Sequence, residues 1–173
     1  MRKNDNPESP EKLLRRIRLL MGAFIIGLAL SGLTAFPLVW EIGLLSRWLG
    51  IDPAADPHTY TGFIEWIALV RRGVTETDVR YPFLAYGTDW LAFGHLVIAL
   101  FLVGPLREPV RNIWCLRVGM AACVLVIPLA LICGPIRGIP FGWQCIDSGF
   151  GIVGIVPLWM ALRATLQLEA TQN

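Results

Sequence analysis

The chain has 173 residues and a formal net charge of +2, with 55% hydrophobic and only 16% charged residues. Soluble domains carry about one quarter charged residues, so this composition, with a mean hydropathy of +0.58, excludes an ordinary water-soluble domain. The apolar residues are gathered into blocks, and a block of about 20 apolar residues forms a helix that crosses the roughly 30 Å hydrocarbon core of a bilayer. The sequence therefore predicts an all-α integral membrane protein with four transmembrane helices.

Residues 1–18 are polar and basic and precede the first apolar block. The run from Lys12 to Arg18 abuts that block and has no interleaved aromatic residues, which favours anchoring to anionic lipid over binding to nucleic acid. Residues 19–40 carry no charge and are longer than the apolar region of a cleaved signal peptide. We therefore predict a cytoplasmic tail at 1–18 and a retained first transmembrane helix at 19–40.

Small residues recur every four positions along this first helix. Because lipid tails are as apolar as leucine, membrane helices associate where small residues allow their backbones to approach closely. The spacing predicts a helix-packing face formed by Ala23, Gly27, Ser31 and Ala35. Similar small-residue surfaces occur in the third and fourth apolar blocks, at Cys115, Gly119 and Cys123 and at Ser148, Gly151 and Gly154.

Residues 41–88 form the one long connection and are predicted to be extracytoplasmic. The segments EIGLLSRWLG and TGFIEWIALVRRG have apolar residues at helical spacing but are too short to span a bilayer. They predict short amphipathic helices in the outer interface, with tryptophan at headgroup depth. Asp-Pro pairs between the two segments stop helices, and His58 in that turn region is expected to be a solvated loop residue.

Three further apolar blocks complete the predicted topology. The predicted second, third and fourth transmembrane helices are residues 89–106, 118–136 and 147–165. Their connections are a cytoplasmic hairpin at 107–117 that includes the start of the third helix, an extracytoplasmic loop at 137–146 and a cytoplasmic tail at 166–173. Thr88 or Asp89 is expected to cap the second helix and Asp147 the fourth, because their side-chain oxygens can accept from free N–H groups at a helix start.

Lys and Arg residues predict the orientation. With both termini in the cytoplasm, the inside segments carry twice as many Lys and Arg residues as the outside segments, as the positive-inside rule requires. The sequence therefore predicts an N-in, C-in protein. The compact loops and the charge bias fit a bacterial inner membrane, although other membranes obey the same bias.

His95 is the candidate functional residue. It lies about five residues, or roughly 8 Å, inside the second predicted helix, and ionisable groups at such depth usually face the protein interior and mark functional sites. The polar residues expected to form a ligand pocket with it in the outer half of the bundle are Asp89, Thr34, Arg137 and Asp147. The structural alternative is a neutral histidine that is hydrogen-bonded to Thr34 or to a backbone carbonyl.

Haem and metal sites fit the spacing poorly. Haem in a helical bundle needs two axial ligands at matching depth. His95 is in the predicted outer half, whereas the methionines of the helices, Met21, Met120 and Met160, fall in the predicted cytoplasmic half. Two axial ligands would therefore require two copies of His95 in a homodimer. The four cysteines lack metal-ligand spacing. We therefore predict no metal and no cofactor. Cys133 and Cys145 flank an outer connection, where they either pair in an oxidising compartment or remain packed thiols.

Two alternatives remain: a haem- or quinone-binding redox component, which the spacing favours less, and an enzyme acting on a lipid-like substrate at the outer interface. The enzyme requires convergence of seven polar residues that no local spacing fixes: Glu41, Tyr81, Tyr86, Asp89, His95, Arg137 and Asp147. We therefore predict a non-catalytic membrane component, either an accessory subunit or a small-ligand binder. Its expected partners are the lipid bilayer and other membrane subunits or a second copy of the chain.

Overall fold

The computed structural model describes residues 9–171, which contain seven α-helices, two 3₁₀ turns and no β-strand. The all-α prediction is therefore confirmed. Residues 1–8 of the predicted N-terminal tail, with Arg2 and Lys3 of the charge bias, and residues 172–173 lie outside the described range. The helices are α1 Pro10–Thr34, α2 Leu38–Trp48, α3 Gly62–Arg80, α4 Tyr86–Phe101, α5 Val103–Arg107, α6 Ile113–Ile136 and α7 Phe141–Ala170.

Four helical segments are long and apolar enough to cross a membrane, as predicted. They are Pro10–Thr34, Pro82–Arg107, Ile113–Ile136 and Phe141–Ala170. Their large apolar side chains are mostly exposed, and only 6% of the most apolar stretch of α6 is buried. Such a surface is unfavourable in water but is matched by lipid tails. The helices therefore indicate an integral membrane protein.

The first apolar block is divided between two helices. α1 begins at Pro10, so the basic run is helical, and it ends at Thr34 rather than continuing to Trp40. Pro37 has no N–H group and disfavours a helical conformation in the preceding residue. The chain therefore turns after Thr34 and resumes as α2 at Leu38.

Neither predicted helix cap is present. α4 begins at Tyr86 after a 3₁₀ turn, so Asp89 lies in its first turn, and the Thr88 hydroxyl donates to the Ala85 carbonyl at 2.7 Å. A carboxylate in the first turn still interacts favourably with the helix dipole. Asp147 lies inside α7, which begins at Phe141 after Pro140. The capping predictions were wrong because both helices begin earlier than the apolar blocks do.

The described chain divides into two compact units, and the division falls within α1 and within α4. The terminal unit comprises residues 9–27 and 98–171. The central unit comprises residues Leu28–Val97.

The terminal unit is built on an antiparallel pair formed by α6 and α7. A Cβ atom added to Gly119 would lie 3.2 Å from Leu158 Cδ1, and one added to Gly151 would overlap the carbonyl oxygen of Cys123. A Cβ atom on Gly154 would lie 3.1 Å from the sulfur of Cys123. Of the small-residue surfaces predicted on these two helices, Gly119, Cys123, Gly151 and Gly154 thus lie in the contact between them.

A tight connection at Gly138 turns the chain from α6 into α7. Gly138 has φ of +68°, which a residue without a Cβ atom adopts readily. Its N–H donates to Pro135 O at 3.1 Å, and the Ile139 N–H donates to Gly134 O at 2.9 Å, the two bonds of a Schellman motif. The buried Gln144 side chain then donates to Ile139 O at 2.7 Å, which fixes the connection to the start of α7.

The end of the terminal unit where α1 begins contains its apolar core. Leu13, Ile17 and Met21 are buried along one face of α1. The buried residues of the other helices at this end include Leu116, Leu158, Ala161, Ala164, Thr165 and Leu168.

The central unit contains a helical pair, α2 and α3, that pack against each other. Their buried residues include Ile42, Ser46 and Ile67, and the Ser46 hydroxyl donates to Ile42 O at 2.7 Å. α3 extends over 19 residues to Arg80, further than the predicted amphipathic segment. The two helical segments predicted in the long connection therefore correspond to α2 and α3, which pack on each other.

A matched pair of glycine substitutions tests the packing of α6 on α7. We expect Gly151→Ala to lower the free energy of unfolding by about 1–3 kcal/mol, because the added methyl group meets backbone rather than a movable side chain. Gly149→Ala on the same helix meets nothing within 4 Å and should be neutral or slightly stabilising. Thermal unfolding in detergent measures both variants. Equal stability of the two would contradict the packing.

Candidate functional site

His95 lies on the third turn of α4 in the central unit and is half-buried. Its Nδ1 atom is 2.8 Å from the carbonyl oxygen of Leu91, one helical turn earlier. A carbonyl oxygen only accepts, so Nδ1 carries the proton and donates. In the neutral ring Nε2 then holds a lone pair, which can accept a hydrogen bond or bind a metal.

Gly32 brings the backbone of α1 against His95. A Cβ atom on Gly32 would lie 2.6 Å from His95 Cβ and 3.1 Å from the carbonyl oxygen of Ala92. Glycine is thus the residue that permits this approach. The contact fixes where the base of the imidazole side chain lies against α1.

The sequence leaves two hydrogen-bond acceptors open for a structural His95, Thr34 and a backbone carbonyl, and the structure shows the second. His95 bonds to a backbone carbonyl, whereas Thr34 donates to Ser31 O at 2.9 Å on its own helix. Thr34 is exposed and is not a partner of the imidazole.

The other predicted pocket residues lie in both units. Asp89 is in the central unit, half-buried in the first turn of α4, and six residues from His95, so the two side chains point about 120° apart around the helix. Arg137 and Asp147 are in the terminal unit, the first exposed at the end of α6 and the second half-buried on α7. Convergence of all five residues on one pocket remains a prediction.

The small-residue ridge predicted on the first span is mostly exposed, and its last residue, Ala35, follows the end of α1. Ala23, Gly27 and Ser31 are exposed, Ala35 is half-buried, and a Cβ atom on Gly27 would meet nothing within 4 Å. The contacting glycine of this helix is Gly32, which sequence analysis missed because it lies about 100° from Ser31 around the helix and outside the four-residue repeat.

The four cysteines are free thiols. Cys133 and Cys145 are exposed near the connection between α6 and α7. Their pairing in an oxidising compartment remains a prediction.

A second polar cluster lies on the surface of the central unit. His58 Nδ1 is 2.8 Å from Glu65 Oε1, and Arg72 lies 3.7 Å from Asp56. The His58 side chain is 69% exposed, as expected for a solvated loop residue. Such exposed ion pairs contribute little to stability. Across residues 9–171, no group of three or more His, Cys, Asp or Glu side chains is placed to hold a metal ion.

No protein family, curated protein or solved structure matches this chain.

The contact between Gly32 and His95 can be tested with substitutions on one helix. We expect Gly32→Ala to reduce stability by about 1–3 kcal/mol, because the methyl group would force α1 away from α4. Gly27→Ala has open space around the new methyl group and should leave the unfolding midpoint unchanged or slightly higher. Thermal melts of the two purified variants provide the measurement. A Gly32→Ala protein as stable as Gly27→Ala would exclude this close approach.

Proposed function

We propose that this protein is a non-catalytic component of a bacterial inner membrane, an accessory subunit or small-ligand binder, that binds its ligand through His95. The observation that carries the proposal is the bond from His95 Nδ1 to Leu91 O at 2.8 Å. It assigns the ring proton to Nδ1 and leaves Nε2 as an acceptor at a depth where unpaired acceptors are unfavourable.

The ligand class follows from that nitrogen. A neutral imidazole nitrogen accepts a hydrogen bond from a hydroxyl or N–H group, or coordinates a metal centre. A small amphiphile with a hydroxyl group, such as a quinol or a lipid-derived alcohol, satisfies Nε2 and is itself stable in the apolar surroundings of α4. Ligand binding therefore compensates an acceptor that the described residues leave without a partner.

An enzyme acting on a lipid-like substrate is the alternative to this non-catalytic role. General acid–base catalysis needs a positioned pair within hydrogen-bond reach. Five of the seven residues that the enzyme interpretation requires lie in the central unit, and within residues 28–97 no hydrogen bond or ion pair joins any two of these five. Tyr81 and Tyr86 instead make ring contacts, with Phe83 and Trp90.

The same histidine geometry favours one second candidate, a haem- or quinone-binding redox component. Histidines that bind metals commonly donate their other ring N–H to a backbone carbonyl, which fixes the ring and raises its basicity. His95 has this arrangement with Leu91. A six-coordinate haem would then require a second copy of the chain, because each copy offers one such histidine.

Charge bias supports the orientation. Lys12, Arg15 and Arg18 lie near the start of α1, and Arg107 and Arg111 lie in the connection from α5 to α6. These residues fall on the side predicted to be cytoplasmic. We propose that both termini face the cytoplasm.

Substitution of His95 separates a ligand role from a structural one. An asparagine amide can replace Nδ1 as donor to Leu91 O but has no counterpart of Nε2. We expect His95→Asn to lose the bound ligand while its stability changes by less than about 1 kcal/mol, since hydrogen bonds inside membrane proteins average about 0.6 kcal/mol. The measurement is native mass spectrometry of the protein purified from its own membrane in mild detergent, paired with a thermal melt.

The second histidine provides the control. His58→Asn alters an exposed residue of the central unit and should retain the same added mass as the unsubstituted protein. A bare unsubstituted protein, or a ligand mass that persists in His95→Asn, would contradict binding through His95. An absorption spectrum of the same sample identifies haem if it is the ligand.

The exposed ridge of α1 tests the accessory-subunit part of the proposal. We expect Gly27→Leu to disrupt assembly with a partner subunit or a second copy, because leucine prevents close backbone approach at this exposed position. Gly22→Leu, which also meets open space but lies outside the four-residue repeat, should assemble normally. Native gel electrophoresis of membranes extracted in mild detergent compares them. Normal assembly of Gly27→Leu would exclude this face as the interface.

A further inference from the structure

Two adjoining grooves lie in the terminal unit where α1 begins and α7 ends. The larger, of about 540 Å³, is lined by residues that include Pro10, Glu11, Leu14, Arg107, Arg111 and Leu168. The smaller, of about 390 Å³, shares Glu11 and Leu14 and is completed by Arg15, Arg18 and Leu19. We call them together the arginine groove.

The loop that carries two of these arginines is fixed before any ligand binds. The Glu108 N–H donates to Gly104 O at 2.9 Å, and the carbonyl oxygen of Glu108 accepts from the side chain of Asn112 at 2.8 Å. Pro105 and Pro109 are both buried. Arg107 and Arg111 therefore project from a rigid turn, so little conformational entropy of the backbone is lost on binding.

The charge of the arginine groove is positive and only partly neutralised. Its lining contains four arginines and two glutamates. Arg111 lies 3.4 Å from Glu108, whereas Arg107 has no hydrogen bond or ion pair within residues 9–171. A guanidinium presents two parallel N–H groups to the oxygens of a phosphate. An anionic phosphate is the group that complements this site.

Aromatic residues place the arginine groove at the level of lipid headgroups. Trp114 is 72% exposed at the start of α6, and the Arg163 guanidinium lies 4.1 Å from the ring centre of Trp159 on α7. Tryptophan is enriched at the boundary between headgroups and hydrocarbon. Leu19 is 65% exposed at the apolar edge of the smaller groove, where an acyl chain can lie against it.

We propose that the arginine groove binds an anionic glycerophospholipid of the adjacent leaflet, with its phosphate at Arg107 and Arg111 and an acyl chain along Leu14 and Leu19. This binding differs from a general attraction between basic residues and an anionic membrane. The lipid is expected to contact a defined groove, and not every cationic residue at this end of α1. Lipid binding there is independent of ligand binding at His95.

Native mass spectrometry of the full chain, titrated with 1-palmitoyl-2-oleoyl phosphatidylglycerol, tests the proposal. We expect saturable binding at least tenfold tighter than that of phosphatidylcholine with the same acyl chains. The Arg107→Gln/Arg111→Gln double variant should bind phosphatidylglycerol at least tenfold more weakly, as expected for the loss of charge-assisted hydrogen bonds. Lys12→Gln, an exposed residue that lines neither groove, should change binding by less than twofold.

Three results would overturn the proposal. They are equal affinity for the two lipids, an effect of Lys12→Gln as large as that of the double variant, and competition by glycerol 3-phosphate as effective as that by the lipid. The last would show a soluble phosphate site instead of a lipid site. Should the double variant fail to fold, Arg107→Lys decides the question, because it keeps the charge but loses the bidentate geometry. Weaker phosphatidylglycerol binding supports the site, and unchanged binding excludes it.

Discussion

Close approach of helix backbones at glycine residues is the constraint on which the rest of this structure depends. In hydrocarbon, backbone polar groups must be bonded within the chain, so the spanning segments are helices. Apolar side chains gain little by leaving lipid, so helices associate through dense packing. α6 and α7 meet where Gly119, Gly151 and Gly154 leave room for the facing helix, and Gly32 does the same for α1 against α4.

The buried polar side chains, like the backbone polar groups, form hydrogen bonds within the chain. Ser46, Ser148 and Thr165 each donate to the carbonyl oxygen four residues earlier, at 2.7, 2.8 and 2.8 Å. His95 uses the same type of bond, with Leu91 as acceptor. An imidazole differs from a hydroxyl because its second nitrogen points away from the helix and remains a strong acceptor. The bond that secures the side chain therefore also leaves the lone pair of the neutral ring on Nε2.

Sequence reasoning predicted the all-α fold, the four spanning segments and the packing at Gly119, Gly151 and Gly154, because length, hydropathy and small-residue spacing depend on local sequence. The ends of the helices were harder to predict from the sequence. Pro37, for example, divides an uncharged block that hydropathy alone treats as one continuous helix. The hydrogen-bond acceptor of His95 depends on a side-chain rotamer, and the close approach of Gly32 to His95 depends on how α1 and α4 cross. Neither can be read from the spacing of residues along the sequence. Convergence of residues from different spans stays a prediction for the same reason.

The assignment of the ring proton is the central claim, and nitrogen NMR tests it most directly. The chain has two histidines, so a His58→Gln protein labelled with ¹⁵N-histidine reports His95 alone. In detergent, for the neutral imidazole, we predict a proton bonded to Nδ1 and none on Nε2, because Nδ1 donates to the Leu91 carbonyl. A neutral ring with its proton on Nε2 would contradict the account, since Nε2 would then have no lone pair to offer a ligand and Nδ1 could not donate to Leu91 O.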